Sequence, residues 1–320
     1  MDNPNGMNRR LILKGGFAAG AASMGACARP LLSAGKPSTQ TSYIAAYDTE
    51  SDGCLDACKA IVAVHKRFAM PATFFIEAKK LEENAEAYRH LLDDPLFEVA
   101  SHTYSHQMLR DHPMCGDQVS PEELRRQIIQ SKASIENIFG RPCTGLRPAC
   151  GFDNGLSGAD DVLSLVAEAG YKYVSSLLWG ADYSMPAQLV GPHNYAKDGF
   201  TDIWELPGHG WHENLLKDNN GWGAKRLALW PSPFPEAVPA GFVKIPDDEF
   251  QVNRVFLDRA VQTAQSFVSF IWHPWSLRRF DPEMKMLEAT FSHVKKLGMR
   301  GSTYDALYRT TVQAHKGAAT

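Results

Sequence analysis

Two histidines four residues apart, two carboxylates two apart, an arginine and a further histidine are the side chains whose types and spacing can do chemistry together: His102 and His106, Asp48 and Glu50, Arg147, and His273. The segment Ser101-His102-Thr103-Tyr104-Ser105-His106 puts two imidazoles on one turn of chain, close enough to share a metal ion, and a carboxylate oxygen from another loop would complete a two-histidine, one-carboxylate facial set. Alone, such a pair is a weak signal. It gains weight because each of the other polar residues follows a run of strand character. No Gly-x-Gly-x-x-Gly or Gly-Lys-Ser/Thr phosphate loop occurs, which argues against a nucleotide cofactor. The formal net charge of −3, from 33 basic and 36 acidic residues, offers no electrostatic footprint for nucleic acid or anionic lipid.

The elements that must position these residues alternate between β-type runs and helical patterns from Tyr43 onward, as in an α/β protein with mainly parallel strands. Strands are expected to begin near Tyr43, Thr73, Phe97, Thr144, Tyr171, Asp202, Phe267 and Met299. Leu55, Cys58, Ile61, Val62, His65 and Phe68 share one helical face, with His65 read as a structural histidine. Ser120-Pro121-Glu122-Glu123 opens a second helix with a capping box, and Asp281-Pro282 announces a third. The expected fold is a distorted (β/α) barrel of about seven to eight mainly parallel strands, with chemistry on the loops after the strands; a doubly wound open sheet is the alternative. The stretch from Pro207 to Pro246 is rich in Pro, Gly and Trp and longer than a connection needs, as functional loops tend to be. Its His209 and His212 are read as solvated loop histidines.

Ahead of the domain, Arg9-Arg10 precedes a short, weakly apolar run from Gly15 to Ala26 with a small-residue end, resembling a bacterial twin-arginine export signal. Cys27 admits two readings: lipid attachment after Met24-Gly25-Ala26, or ordinary cleavage at Ala26-Cys27-Ala28. The expected organisation is a signal peptide at 1–28, a linker at 29–42, a catalytic domain at 43–310 and a tail at 311–320, with the protein exported to the periplasm or cell envelope. Beyond Cys27 remain Cys54, Cys58, Cys115, Cys143 and Cys150, an odd set read as packed thiols with at least one unpaired.

From Tyr43 to Tyr308 the sequence resembles the polysaccharide deacetylases of carbohydrate esterase family 4, the NodB homology domain. The resemblance rests on Tyr47-Asp48-Thr49-Glu50, Pro71-Ala72-Thr73-Phe74-Phe75, Ser101 to His106, Leu146-Arg147-Pro148-Ala149-Cys150-Gly151 and Phe270-Ile271-Trp272-His273-Pro274. The commonest family form has adjacent aspartates, whereas Asp48-Thr49-Glu50-Ser51-Asp52-Gly53 is like the branch with spaced carboxylates. The resemblance implies Asp48 as catalytic base, Glu50, His102 and His106 as ligands of a divalent metal ion, Arg147 as partner of the base and His273 as catalytic acid. Asp52 is the fallback ligand. Each also has a structural reading: Asp48 as a helix cap, Arg147 as a salt-bridge partner, His273 as a core histidine.

The implied reaction is hydrolysis of N-acetyl groups on a carbohydrate, an N-acetylhexosamine polysaccharide by the export reading, with zinc favoured by the ligand set. The family's fourth motif, a carboxylate that orients the catalytic histidine, has no clean counterpart; Asp182 and Asp202 are candidates. Trp204, Pro207, Trp211 and Trp272, with Trp222, Trp230 and Phe234, are candidate sugar contacts. The alternatives are a non-catalytic surface glycan-binding protein on the same fold and an amidohydrolase of a small cyclic amide.

Overall fold

The computed structural model describes residues 40–180, 187–213 and 245–318. In chain order the strands are β1 Ser42–Thr49, β2 Ala72–Ile76, β3 Phe97–Ser101, β4 Gly145–Leu146, β5 Tyr173–Val174, β6 His193–Tyr195, β7 Phe200–Glu205, β8 Phe267–Trp272 and β9 Arg300–Ser302. They form one sheet in the order β6-β7-β5-β4-β3-β2-β1-β8, with β9 beside Ser42 to Ile44 of β1. Every pairing is parallel except the β6–β7 hairpin. The helices are α1 Cys54–Phe68, α2 Ala78–Glu83, α3 Ala85–Leu92, α4 Pro121–Arg125, α5 Ser131–Phe139, α6 Asp160–Ala169, α7 Pro246–Gln262, α8 Pro274–Phe280, α9 Lys285–Lys296 and α10 Tyr304–Ala318. A π-helical turn, Arg126–Gln130, joins α4 to α5.

The expected α/β barrel architecture is present, but its sheet is not closed. Among the described residues, a single parallel bridge between Trp211 and Ile271 spans the gap between the chain leaving β7 and strand β8, and the His212 N–H donates to the Ile271 carbonyl at 2.8 Å. The strand missing from the expected set is β6, whose His193-Asn194-Tyr195 is too short and polar to give a periodic signal.

Residues of a strand point alternately to opposite faces. Tyr43, Ala45 and Tyr47 of β1 face outward into a core shared with Cys58, Ile61 and Val62 of α1, while Ile44 and Ala46 face inward with Phe75, Ala100 and Ile271. Burial on both faces makes β1 almost continuously apolar, as parallel strands covered by helices are. The inward rows then run into polar residues: Ile44 and Ala46 lead to Asp48, Ala100 to His102, and Ile271 to His273. Strand periodicity thus delivers the chemistry to one mouth of the barrel.

The helix signals hold with one adjustment. The Ser120 hydroxyl accepts the Glu123 N–H at 3.3 Å, and His65 is buried and satisfied, donating from Nδ1 to the Met70 carbonyl and accepting the Tyr47 hydroxyl, both at 2.6 Å. Burial lowers the His65 pKa to about 4. Asp281-Pro282 does not open α9, which starts at Lys285; Asp281 caps it from the preceding turn, accepting the Lys285 and Met286 N–H groups at 3.0 and 2.8 Å. Helix α10 runs past the boundary expected at 310. Cys115 and Cys150, read as thiols, form a disulfide, whereas Cys54, Cys58 and Cys143 are buried and free.

Candidate active site

Glu50, just past β1, meets His102 and His106 from the loop after β3. Its Oε2 lies 3.2 Å from His102 Nε2 and 2.8 Å from His106 Nε2, and ligand atoms of all three residues fall within 4.8 Å of one another. Donors bonded to a common zinc at about 2 Å lie roughly 3 to 4 Å apart. His102 Nδ1 donates to the Arg147 carbonyl at 2.9 Å, so in the neutral ring the Nε2 lone pair faces the Glu50 oxygen. Two acceptors at that separation call for a proton or a cation between them, and the donor chemistry fits a divalent metal ion. Burial opposes ionisation of Glu50, yet His106 and then His273 hold its carboxyl well below the usual range. Asp52, the fallback ligand, points to solvent and pairs with Lys80 at 2.5 Å, so it takes no part in the cluster.

Asp48 is buried beside that cluster with both oxygens held: Arg147 Nη1 donates to Oδ1 at 2.7 Å and Trp211 Nε1 to Oδ2 at 3.1 Å. Burial raises its pKa, and Arg147, followed by His102 and His273, more than reverses the effect, leaving it below the usual aspartate value. Arg147 is itself fully buried, donates from Nη2 to the Ser175 and Tyr304 hydroxyls at 3.0 and 3.1 Å, and lies 3.9 Å over the Phe75 ring. The reading of Asp48 as a helix cap is overturned, since α1 has Gly53 at its N-cap and no side-chain cap there.

His273, at the end of β8, directs Nε2 toward Glu50 Oε1 at 3.6 Å, and its Nδ1 contacts Glu213 Oε1 at 2.5 Å. Glu213 also accepts the His273 backbone N–H, at 3.2 Å to Oε2. This fully buried carboxylate, rather than Asp182 or Asp202, is the one in contact with the His273 ring. Asp202 is exposed on β7, and Asp182 lies outside the described residues. The signal was present, because Glu213 closes Pro207-Gly208-His209-Gly210-Trp211-His212-Glu213, but that stretch draws the eye to its histidines. Those histidines are buried, not solvated: His209 accepts the Ser269 N–H at 2.9 Å, and His212 stacks on Phe270 with ring centroids 3.9 Å apart.

The candidate sugar contacts need a larger correction. Trp272 ends β8 and His273 continues it in extended conformation, so Trp272 points to the opposite face, stacked on Tyr47 in the outer core. Trp204 is buried at an edge-on contact with His315, and the Pro207 carbonyl accepts the Tyr304 hydroxyl inside the barrel. Trp211 is at the site but buried, its indole holding Asp48 rather than offering an open face. Trp179 packs edge-on against it at 5.2 Å and donates Nε1 to the carbonyl of disulfide-bonded Cys150 at 2.6 Å, so the disulfide braces the wall behind Asp48. Trp222, Trp230 and Phe234 lie outside the described residues.

Comparison with known proteins agrees with this architecture. Residues 39–174 match the family model described as Polysaccharide deacetylase. Among solved structures, the chain is similar to a protein of Pseudomonas aeruginosa PAO1 assigned as a polysaccharide deacetylase (13% identity, 86% of this chain and 92% of that one, TM-score 0.59). It is also similar to one of Mycobacterium smegmatis with the same assignment (17%, 88% and 93%, 0.57) and to Puue allantoinase (12%, 86% and 91%, 0.57). A search of curated proteins finds no match. The family model covers residues in the first part of the domain, and the solved structures, at 12 to 17% identity, share its fold.

Proposed function

We propose that the protein is an exported, metal-dependent deacetylase that hydrolyses N-acetyl groups of a carbohydrate polymer. The observation that carries this reading is the convergence, at one mouth, of three metal donors, a separate ionised carboxylate and a histidine braced by a buried carboxylate. Glu50, His102 and His106 would hold a divalent ion, zinc in this reading, whose charge acidifies water and polarises an amide carbonyl when bound. Asp48 accepts the proton of the attacking water, and Arg147 and Trp211 fix its two oxygens for that task. As the water oxygen bonds to the acetyl carbon and the carbon–nitrogen bond breaks, His273 gives a proton from Nε2 to the departing amine. Glu213 holds the ring in the required orientation.

Export is supported by Arg9-Arg10 and by the Cys115–Cys150 disulfide, which belongs in an oxidising compartment. A lipid anchor at Cys27 is part of the same proposal. A protein that only bound glycan would need neither Asp48 nor His273 in these settings. The test is acetate release from a panel of N-acetylated glycans, with chelator and after zinc is restored. Acetate release that chelator abolishes is the expected result; binding of acetylated glycan with no acetate released under any metal would overturn it.

A further inference from the structure

We infer that Gln127, on the π-helical turn between α4 and α5, is the positioning residue that sets the metal-ligand loop, an inference that rests on the metal-centre reading above. The loop from Thr103 to His106 turns through two left-handed corners, at Thr103 (φ +64°) and at the ligand His106 itself (φ +55°). Neither residue adopts this conformation readily. The His106 N–H donates to the Thr103 hydroxyl at 3.1 Å, and the Ala78 and Lys79 N–H groups donate to the Thr103 and Tyr104 carbonyls at 3.0 and 2.8 Å, which fixes the start of the loop. The N–H groups on either side of His106 are left to be held from elsewhere. The left-handed corner at His106 aims the flanking N–H groups of Ser105 and Gln107 the same way, in the manner of an anion-binding nest. Both meet Gln127 Oε1, at 2.9 and 3.5 Å.

The same amide completes its bonding from Nε2, to the Ser105 hydroxyl at 2.7 Å and to Glu123 at 2.5 Å. Gln127 is fully buried, and its amide spends itself almost wholly on the two residues that bracket His106. The π-helical turn is where this grip originates. Such a turn replaces the regular helical pattern locally, and its Ile128 carbonyl accepts the Tyr171 hydroxyl at 3.1 Å. Just beyond the turn, Ser131 hydrogen-bonds Ser101, whose hydroxyl accepts the Thr103 N–H at 3.1 Å. One helix therefore grips the ligand loop at both ends, with Ser131 at its start and Gln127 at its close.

The test is a cobalt titration of metal-stripped full-length protein, read as affinity and as the visible spectrum of the bound ion. Gln127→Leu keeps the bulk but leaves the Ser105 and Gln107 N–H groups without their acceptor; affinity should fall about 10- to 100-fold and the spectrum should change. The double variant Gln127→Glu with Glu123→Gln keeps the acceptor and reverses the donor pair, and should recover wild-type affinity to within a few-fold. Ile128→Val, in the core of the same turn, should lower the unfolding midpoint without moving cobalt affinity. Wild-type affinity and spectrum in Gln127→Leu, or an equal loss in Ile128→Val, overturns the positioning role and leaves the metal centre standing. A wild-type protein that binds no cobalt overturns the metal reading and this inference with it.

Discussion

The barrel interior holds an acid at each end, and the two are treated in opposite ways. At the mouth, Asp48 is buried against Arg147 and kept below its ordinary pKa. At the floor, Glu98 accepts the Tyr173 hydroxyl at 2.5 Å, the Thr73 hydroxyl at 2.8 Å and the Asp305 N–H at 2.9 Å. Burial nevertheless pushes its pKa up to about 7, with the charge of Asp305 adding to the rise. Hydrogen bonds alone do not offset desolvation at the floor, whereas a full positive charge does so at the mouth. The difference is one of charge state: Asp48 is held ionised at neutral pH by a neighbouring cation, whereas Glu98, without one, is poised between its two states.

The strongest challenge to that contrast is Asp48→Asn. It should leave metal bound while turnover falls about 10²- to 10⁴-fold, as for loss of a general base, whereas Glu98→Gln should leave turnover unchanged. Metal loss in Asp48→Asn would mean that Asp48 and Glu50 have exchanged roles. Glu50→Gln should lose metal and activity together in a metal analysis paired with the acetate assay. Glu213→Gln should lower kcat by about 10- to 100-fold, the usual scale for removing an orienting partner, with KM and metal content little changed; an unchanged kcat would deny Glu213 its bracing role.

Smaller effects sharpen the comparison through stability. Cys115→Ser opens a disulfide whose cysteines are 35 residues apart, and should cost about 2 to 4 kcal/mol in urea unfolding. The two acids carry opposite pH signatures. The folded pKa of Asp48 is depressed, so its contribution is present above the unfolded value of 3.8 and is lost as pH falls through the lower folded value. For Glu98 the folded value of about 7 lies above the unfolded 4.5, so the folded state holds a proton that the unfolded chain releases; stability falls as pH rises through that window. The change is on the order of 3 kcal/mol at most. Unfolding midpoints at pH 5 and pH 8 should show that decline in the wild type and a flatter profile in Glu98→Gln; equal slopes would remove Glu98 from the account.

Much of the mouth was legible because it obeys strand periodicity. Asp48, His102 and His273 each lie two residues beyond an inward apolar residue, so a parallel α/β pattern with the right residue types already places them together. The same rule excludes Trp272 from the site, since His273 continues β8 in extended conformation and the residue before it must face the other way. Glu213 escaped because it lies in an aperiodic stretch and meets a residue 60 positions away, a distance that no local pattern spans. The Cys115–Cys150 pairing escaped because five candidate cysteines leave connectivity open. Gln127 escaped because a π-helical turn leaves no mark in a short helical pattern.

The disulfide has a topological meaning as well as a structural one. It closes a covalent ring that carries Gln127 and Arg147 but none of Glu50, His102 and His106. A protease that cuts the exposed Gly116-Asp117 stretch just inside that ring would nick the polypeptide without separating its halves. The supports of the site would stay tethered to the ligands they serve, and the two pieces would part only when a reductant and a denaturant act together. If the protein is exported, as proposed above, damage at that point by secreted proteases would be survivable.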